Sequence, residues 1–578
     1  MAIEAARLAA GATTPPRRWR HLDRSVLIWA LLVLVLLVLV INPLARLLWT
    51  SFQHPDTGAF TLENYATAYG RWRYVEALLN SLLVGLAAAL LCVVFGVPMA
   101  WAVSRTDMPA KGLVWAAVLG TFIMPNYLGA VAWILLAGPN AGWLNRAFTA
   151  LTGASAGPFN VYSMPGLVLV IACYSFPYMF VFTRGALDLV SSEMEDAAST
   201  LGAGTVRTTL RITLPLVLPA ILGASIVVFL EAIALFGTPA LIALPARFQV
   251  ITTTLWQMFE FPPRLQVAAA YSMPLLLVTV FLFWLQYRII ARKGYVALTG
   301  KGGERRPVHL GPWRWVALGY CLFVTSLSFF LPLLVILQAA FAKAWGRGFS
   351  LDNVTFRNVR FVLFDQPATR RATLNTFVYA GAASLLALGL ALAIAYIVAR
   401  RLVPLGRLLT YVAMAPFVIP GIVLAIGFYA AYTAPPLVLY GTGWILILAF
   451  ATRFLPIAYT NSEAAIRAIN PELEDAARIL GGGRFLALRK VVGPLLKRGL
   501  AGAFILVFIP ATRELSSAIF LYTTGTQVLS VLLFDKSDEG NFELLSAMGL
   551  ILVVVTVALI LVGFRLVGRD FLLRRTAT

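Results

Sequence analysis

The sequence predicts an all-α polytopic membrane protein with about twelve transmembrane helices in two homologous six-helix halves. Three observations predict it. Of 578 residues, 60% are hydrophobic and only 12% charged, too little charge for a soluble domain. Apolar runs repeatedly exceed the roughly 20 residues a helix needs to cross hydrocarbon. One polar segment also occurs twice, 279 residues apart and with identical spacing. The first copy is Glu195-Asp196-Ala197-Ala198 with Gly202 and Pro215; the second is Glu474-Asp475-Ala476-Ala477 with Gly481 and Pro494. The alternating pattern of an outer-membrane barrel is absent.

Hydropathy places the first-half spans at about 26–50, 77–103, 113–137, 164–185, 216–243 and 266–291. Those of the second half fall at about 313–341, 373–399, 408–432, 442–463, 498–522 and 544–567. The first run is too long for a cleaved signal and no small-residue cleavage site follows it, so it is expected to stay as a helix. Arg17, Arg18, Arg20 and Arg24 precede it and place the N-terminus in the cytoplasm. An even number of spans per half gives both halves one orientation. Arg105 with Lys111, and Arg400-Arg401 with Arg407, flank matching cytoplasmic turns. A basic linker, residues 295–312, joins halves 1–294 and 313–578, and Arg565, Arg569, Arg574 and Arg575 hold the C-terminus inside. Arg357, Arg360, Arg370 and Arg371 fall outside, in a long loop that the positive-inside bias governs weakly.

The net charge of +21 is this same bias and not a nucleic-acid footprint, because no basic soluble domain or aromatic-basic platform accompanies it. The expected compartment is a bacterial inner membrane. Cys92, Cys173 and Cys321 lie apart in apolar runs, and His21, His54 and His309 are isolated. No metal-ligand spacing is visible, and no cofactor is expected.

The duplication runs through the whole chain. Asn80-Ser81, Arg105, Pro109 and Phe122-Ile123-Met124-Pro125 match Asn375-Thr376, Arg400, Pro404 and Phe417-Val418-Ile419-Pro420 at an offset of 295. From Pro177 and Pro456 onward the offset is 279, so the first half carries 16 extra residues, assigned to Gly138–Met164 as a re-entrant or extracytoplasmic helix. Fixed offsets through Pro, Gly, Glu and Asp make a parallel repeat.

Each polar segment, about 192–215 and 470–494, reads as helix, break, helix. Asn470 before Pro471 is a helix-start signal, and the acids suit the positive end of the helix dipole. The alanine pairs give a narrow face. Gly202 and Gly481 then stop the helix, since glycine tolerates a left-handed C-cap. Such a knob is suited to docking a partner.

On these residues the chain resembles the permease subunits of type I ATP-binding-cassette importers. Their cytoplasmic EAA loop has the form Glu-Ala-Ala, three residues, Gly, about nine residues, Ile, one residue, Leu-Pro. Glu195, Ala197, Gly202, Ile212, Leu214 and Pro215 follow it, with Asp196 in place of the first Ala and, in both copies, one residue more before the Gly. Glu474, Ala476, Gly481, Val491 and Pro494 repeat it, with Asp475 and Gly493 as departures. The fused layout, the linker Tyr295 to Gly302, and the runs Arg513-Glu514-Leu515-Ser516 and Gly525 to Ser530 look most like the iron(III) permeases. Related permeases serve thiamine, polyamines or phosphonates. The resemblance implies a type I permease fold, two cytoplasmic ATPase subunits docked on Glu195–Ala198, Gly202 and Pro215 and on Glu474–Ala477, Gly481 and Pro494, and an extracytoplasmic binding protein that delivers the solute. The non-identical copies imply that the halves need not couple equally. Gly294 to Lys301 has the wrong spacing for a phosphate loop, and Gly302 replaces its Ser or Thr, so ATP hydrolysis is not expected of this chain.

Ionisable groups deep in apolar spans cost roughly 2.5–3.5 kcal/mol each on insertion scales and so demand a reason. Glu231 in span five, Arg453 in span ten, and Arg513 with Glu514 in span eleven are candidates for the translocation path, with interhelical pairing as the plainer alternative. Pro125, Pro420, Pro177 and Pro456 are expected to kink their spans. Asp535, Asp538, Glu539, Glu543 and Glu260 are candidates to meet the binding protein, or simply solvated. A secondary transporter is the competing class, but it has no need of two matched cytoplasmic knobs. No nucleophile-base constellation supports an enzyme.

Overall fold

A computed structural model describes residues 24–190, 192–292 and 307–567. Arg17, Arg18 and Arg20, the Arg24 side chain, most of the linker, and Arg569, Arg574 and Arg575 lie outside the described residues. Among the described residues, nine helices are long and apolar enough to span a membrane, or up to twelve spans if each bent helix pair is counted as one. Nine are continuous: Ser25–Ser51, Trp72–Arg105, Met164–Leu189, Thr205–Ala234, Leu265–Gln286, Trp313–Ala340, Pro367–Ala399, Gly443–Arg467 and Phe542–Val562. Three are bent pairs: Lys111–Ile123 with Asn126–Ala137, Gly406–Phe417 with Gly421–Tyr432, and Phe485–Lys497 with Gly499–Thr512. Among the described residues no strand forms beyond three isolated bridges.

Small residues set the packing, as expected where lipid removes the hydrophobic drive between helices. The buried face of span two runs through Ala77, Ser81, Gly85, Ala88, Cys92 and Gly96. A Cβ at Gly96 would stand 2.8 Å from Met179 of span four, and one at Gly85 2.7 Å from Ile233 of span five. Span eight repeats the pattern with Ala372, Thr376, Ala380, Ala383, Ala387 and Ala391.

The two halves exchange their first helices. Span one lies against the second half: the Tyr432 hydroxyl donates to Val38 O, and Gly427 leaves room for the Pro43 backbone. Span seven lies against the first half: Thr121 and Ser328 hydroxyls meet at 3.2 Å, and Gly120 packs on the Phe329 ring. The repeat units of the sequence are therefore interlocked in space.

Two expectations are corrected. Pro125 and Pro420 do not merely kink straight spans: the chain turns by 104° and 110° at these points. Each proline is extended, with φ near −60° and ψ near +140°, which ends the preceding helix. Span five was expected to run to 243 and span eleven to 522. Their helices stop at Ala234 and Thr512, and short helices Gly237–Ile242 and Ala518–Leu521 follow. The broken backbone is satisfied by matched side chains: the Thr252 hydroxyl donates to Leu235 O and the Ser530 hydroxyl to Glu514 O, both at 2.8 Å. Asn80 donates to Gln249 O and Asn375 to Gln527 O. Ser81 accepts from the Ile251 N–H and Thr376 from that of Leu529. Pro177 and Pro456 remain inside continuous helices. The extra first-half residues form a helix, Trp143–Thr152, whose Trp143 ring meets Phe349 and whose Arg146 donates to Gly346 O at 2.5 Å.

Candidate coupling segments and central cavity

Both polar segments have the helix, turn, helix form. The helices Ser192–Thr200 and Glu472–Ile479 end at Gly202, φ +80°, and Gly481, φ +85°. The N–H groups of Ala203 and Gly482 then bond back to Ala198 O and Ala477 O at 3.0 Å, closing the turn on orphan carbonyls. Asn470 Oδ1 accepts the Glu472 N–H at 3.1 Å, the start signal read from the sequence. The alanine pairs divide: Ala197 and Ala476 face outward, whereas Ala198 is buried and Ala477 half-buried. The tips are apolar and bare, with Leu201 89% and Leu480 88% exposed. Wide π-helical turns, Thr209–Thr213 and Leu488–Val492, precede Pro215 and Pro494, where a proline ring would clash with the carbonyl of an ordinary turn.

The acids divide: Asp196 and Asp475 are exposed, whereas Glu195 and Glu474 turn toward the protein. Spans two and eight have 34 and 33 residues. At 1.5 Å per residue they are about 50 Å long, well beyond the roughly 30 Å hydrocarbon layer. Their far ends grip the segments. Arg400 Nη2 lies 2.7 Å and Nε 2.8 Å from Glu474 Oε1, while the Tyr396 hydroxyl donates to Oε2 at 2.8 Å. Arg105 Nη1 lies 3.5 Å from Glu195 Oε2, the Thr213 hydroxyl donates to Oε1 at 2.6 Å, and Arg105 Nη2 donates to Leu187 O and Val190 O. The expected dipole role of Glu195 and Glu474 is thus joined by a lock between segment and span. Charge-assisted bonds in such half-buried places are the strong ones.

The described end of the inter-half linker attaches beside the first lock. The Val308 N–H donates to Arg105 O at 2.8 Å, and the Leu310 N–H donates to Asp107 Oδ1 at 2.9 Å. The Leu310 N–H holds the Asp107 carboxyl below the usual carboxylate range, with His309 adding to the effect.

The four in-span candidates meet at one cavity of ≈ 290 Å³ between the halves. Arg453 Nε lies 3.0 Å from Glu514 Oε2, and Glu514 Oε1 accepts from the Ser517 N–H and hydroxyl. Arg513 Nη1 crosses to the other half and donates to Phe122 O at 2.7 Å and Ile123 O at 3.0 Å, the open carbonyls where the 104° bend begins. Asn126 Nδ2 reaches Glu231 Oε1 at 3.4 Å. Glu231 and Glu514 both line the cavity, and Arg453 is ion-paired with Glu514. Arg513 and Glu514 lie on the broken backbone after span eleven. Irregular backbone at membrane depth is tolerated where it lines a cavity or is buried in protein.

A family model described as binding-protein-dependent transport system inner membrane component matches residues 92–295 and again 386–569. The chain belongs to this family. The ferric transport system permease protein FbpB of Actinobacillus pleuropneumoniae is 26% identical over 94% of this chain and 78% of its own length. A putative ferric transport system permease protein FbpB 1 of Haemophilus influenzae is 27% identical over 89% of this chain and 84% of its own. A bacterial ABC transporter chain involved in alginate import has a TM-score of 0.40 at 17% identity, covering 48% of this chain and 100% of that chain, a likeness too slight to bear on function.

For a binding-protein-dependent permease, several cavity residues went unmarked in the sequence reading. Asn126, Tyr127, Tyr174 and Tyr178 line it, and Gly421 makes room for the Arg453 guanidinium: a Cβ there would lie 1.5 Å from Arg453 Nη1. A signal existed. Arg453 stands 279 residues after Tyr174, and Gly421 stands 295 after Asn126, so the offsets themselves pick out the equivalent cavity positions. Of the outer-loop acids, Glu543 accepts the Trp345 N–H at 2.9 Å and Lys536 bonds Glu539, which favours local structure over partner contact at those two; Glu260 is exposed. The Asp538 side chain lies outside the described residues.

Proposed function

We propose that this chain is the membrane permease of a bacterial ferric-iron importer. Two copies of a cytoplasmic ABC ATPase drive it, and an extracytoplasmic binding protein feeds it. The observation that carries the reading is the doubled lock: two matched segments with bare apolar tips, each fixed by an arginine to a long span of its half. Closure of an ATPase dimer on ATP draws the two segments together. Because each segment is bonded to a span end, the motion passes to the spans and not into a loop. The interlocked first helices make the halves rock as packed bodies, so the cavity around Glu231, Arg453, Arg513 and Glu514 opens to alternate sides.

Ferric iron as the cargo is supported by the two ferric permeases that match along most of this chain. The chain itself leaves ATP hydrolysis to its partners, and both termini face the cytoplasm. Purification from cells expressing the neighbouring ATPase tests the assembly. The expected result is one chain with two ATPase subunits, and no ATP turnover by the chain alone. A chain that purifies without an ATPase, or that hydrolyses ATP by itself, contradicts the reading. Titration of the binding protein with ferric iron, thiamine, polyamine and aminophosphonate tests the cargo.

A further inference from the structure

Residues of the first-half wall carry oxygen atoms that are buried and left unpaired, so a side-chain rotation is what would turn them into the cavity. Tyr127 and Tyr174 are 6% and 3% exposed, and among the described residues their hydroxyls have no hydrogen-bond partner. Glu231 Oε2 has none either. A buried polar group left unpaired costs about 1–3 kcal/mol, so three around one cavity need a reason. They reach it from three elements: Tyr127 from Asn126–Ala137, Tyr174 from Met164–Leu189 and Glu231 from Thr205–Ala234. One carboxylate and two phenols are hard oxygen donors, the kind that suit a hard cation.

The facing wall is built differently. At 279 residues beyond Tyr174, Tyr178 and Glu231 stand Arg453, Ile457 and Pro510, all three lining the cavity. The second half therefore lacks the donors at the equivalent positions. Its carboxylate, Glu514, is already engaged by Arg453 and Ser517, and Arg513 is engaged with backbone carbonyls.

We infer that Glu231, Tyr127 and Tyr174 form a one-sided transit site that receives the cation on its way through. The inference rests on the ferric reading above. The site holds its cargo briefly: one carboxylate is available, and two fixed guanidinium groups on the opposite wall repel a cation. A conducting site must also be weak enough to leave.

The test uses proteoliposomes holding the whole complex, supplied with iron-loaded binding protein, and reads iron moved per ATP hydrolysed. Glu231→Gln is expected to lower that ratio about tenfold, equivalent to about 1.4 kcal/mol. Tyr127→Phe and Tyr174→Phe, each losing one oxygen, are expected to lower it about threefold or more, a smaller share of one buried polar interaction. The phenylalanine variants keep the test decisive if Glu231→Gln fails to assemble. A residue that only supports the fold would lower uptake and hydrolysis together and leave the ratio unchanged. If wild type moves iron and every variant stays within twofold of its ratio, the site is overturned while the ferric reading stands. If wild type moves no iron, the ferric reading falls, and the site with it.

Discussion

At the scale of single residues, the two glutamates of the repeated segments occupy unequal surroundings. Glu474 takes two close bonds from Arg400 and one from Tyr396; Glu195 takes one from Thr213 and a longer contact from Arg105. Removing one partner of a half-buried ion pair strands the other charge, and the penalty grows with the closeness of the pair. Glu474→Gln is therefore expected to weaken ATPase retention about tenfold, and Glu195→Gln about two- to threefold, in a titrated pull-down with purified ATPase. Equal losses would place the asymmetry elsewhere, with the linker end at Asp107 as the next difference between the halves. The glutamates were legible in the sequence as parts of a motif. Their inward direction was not, because it depends on how far spans two and eight extend, and hydropathy marks only the part of a helix that lies in hydrocarbon. The matched Arg105 and Arg400 were visible as a pair, yet nothing local tied them to acids 90 and 74 residues away.

At the scale of elements, the glycine turns are alike. Gly202 and Gly481 share a left-handed backbone, and no atom lies within 4 Å of a Cβ built on either. Space is open, so the demand is purely conformational. Alanine at either position is expected to cost about 1–2 kcal/mol of turn stability. Proline, fixed near φ −65°, cannot adopt the turn at all. Gly202→Pro and Gly481→Pro are each expected to abolish ATPase co-purification of the mutated half, to a similar degree. Retention of full binding by either would show that the turn is not what the partner reads. The glycines were legible because a C-cap needs a special φ and only one residue type supplies it cheaply. The breaks after spans five and eleven were not legible: residues 235–243 and 515–522 are as apolar as a span, and the residues that satisfy the broken carbonyls, Thr252 and Ser530, lie 17 and 16 residues further on. Likewise, prolines 125 and 420 announced a disturbance but not its size, since a kink and a turn of over 100° leave the same mark in one dimension.

At the scale of the whole molecule, the duplication predicted two equivalent halves, and the structure interlocks them. The first span of each half rests on the other, so neither half is a closed body by itself. That exchange was illegible in the sequence: offsets report which segments are alike, not which are neighbours. The cavity sits where equivalent positions of the two halves face each other, and there the chemistry has diverged, with oxygen donors in one wall and guanidinium groups in the other. Under the proposed function, similarity of backbone would give the ATPases matching handles, and difference of side chain would give the solute a sided path.

The central claim, that this chain is the path of an ATP-driven iron importer, is tested most directly by uptake into sealed proteoliposomes. They hold the chain with its ATPase, with ATP inside and iron-loaded binding protein outside. The account predicts iron accumulation that requires the chain, the ATPase, ATP and the binding protein together, and that stops when any one is left out. Accumulation without ATP, driven by an ion gradient alone, would contradict it and return the chain to the secondary transporters.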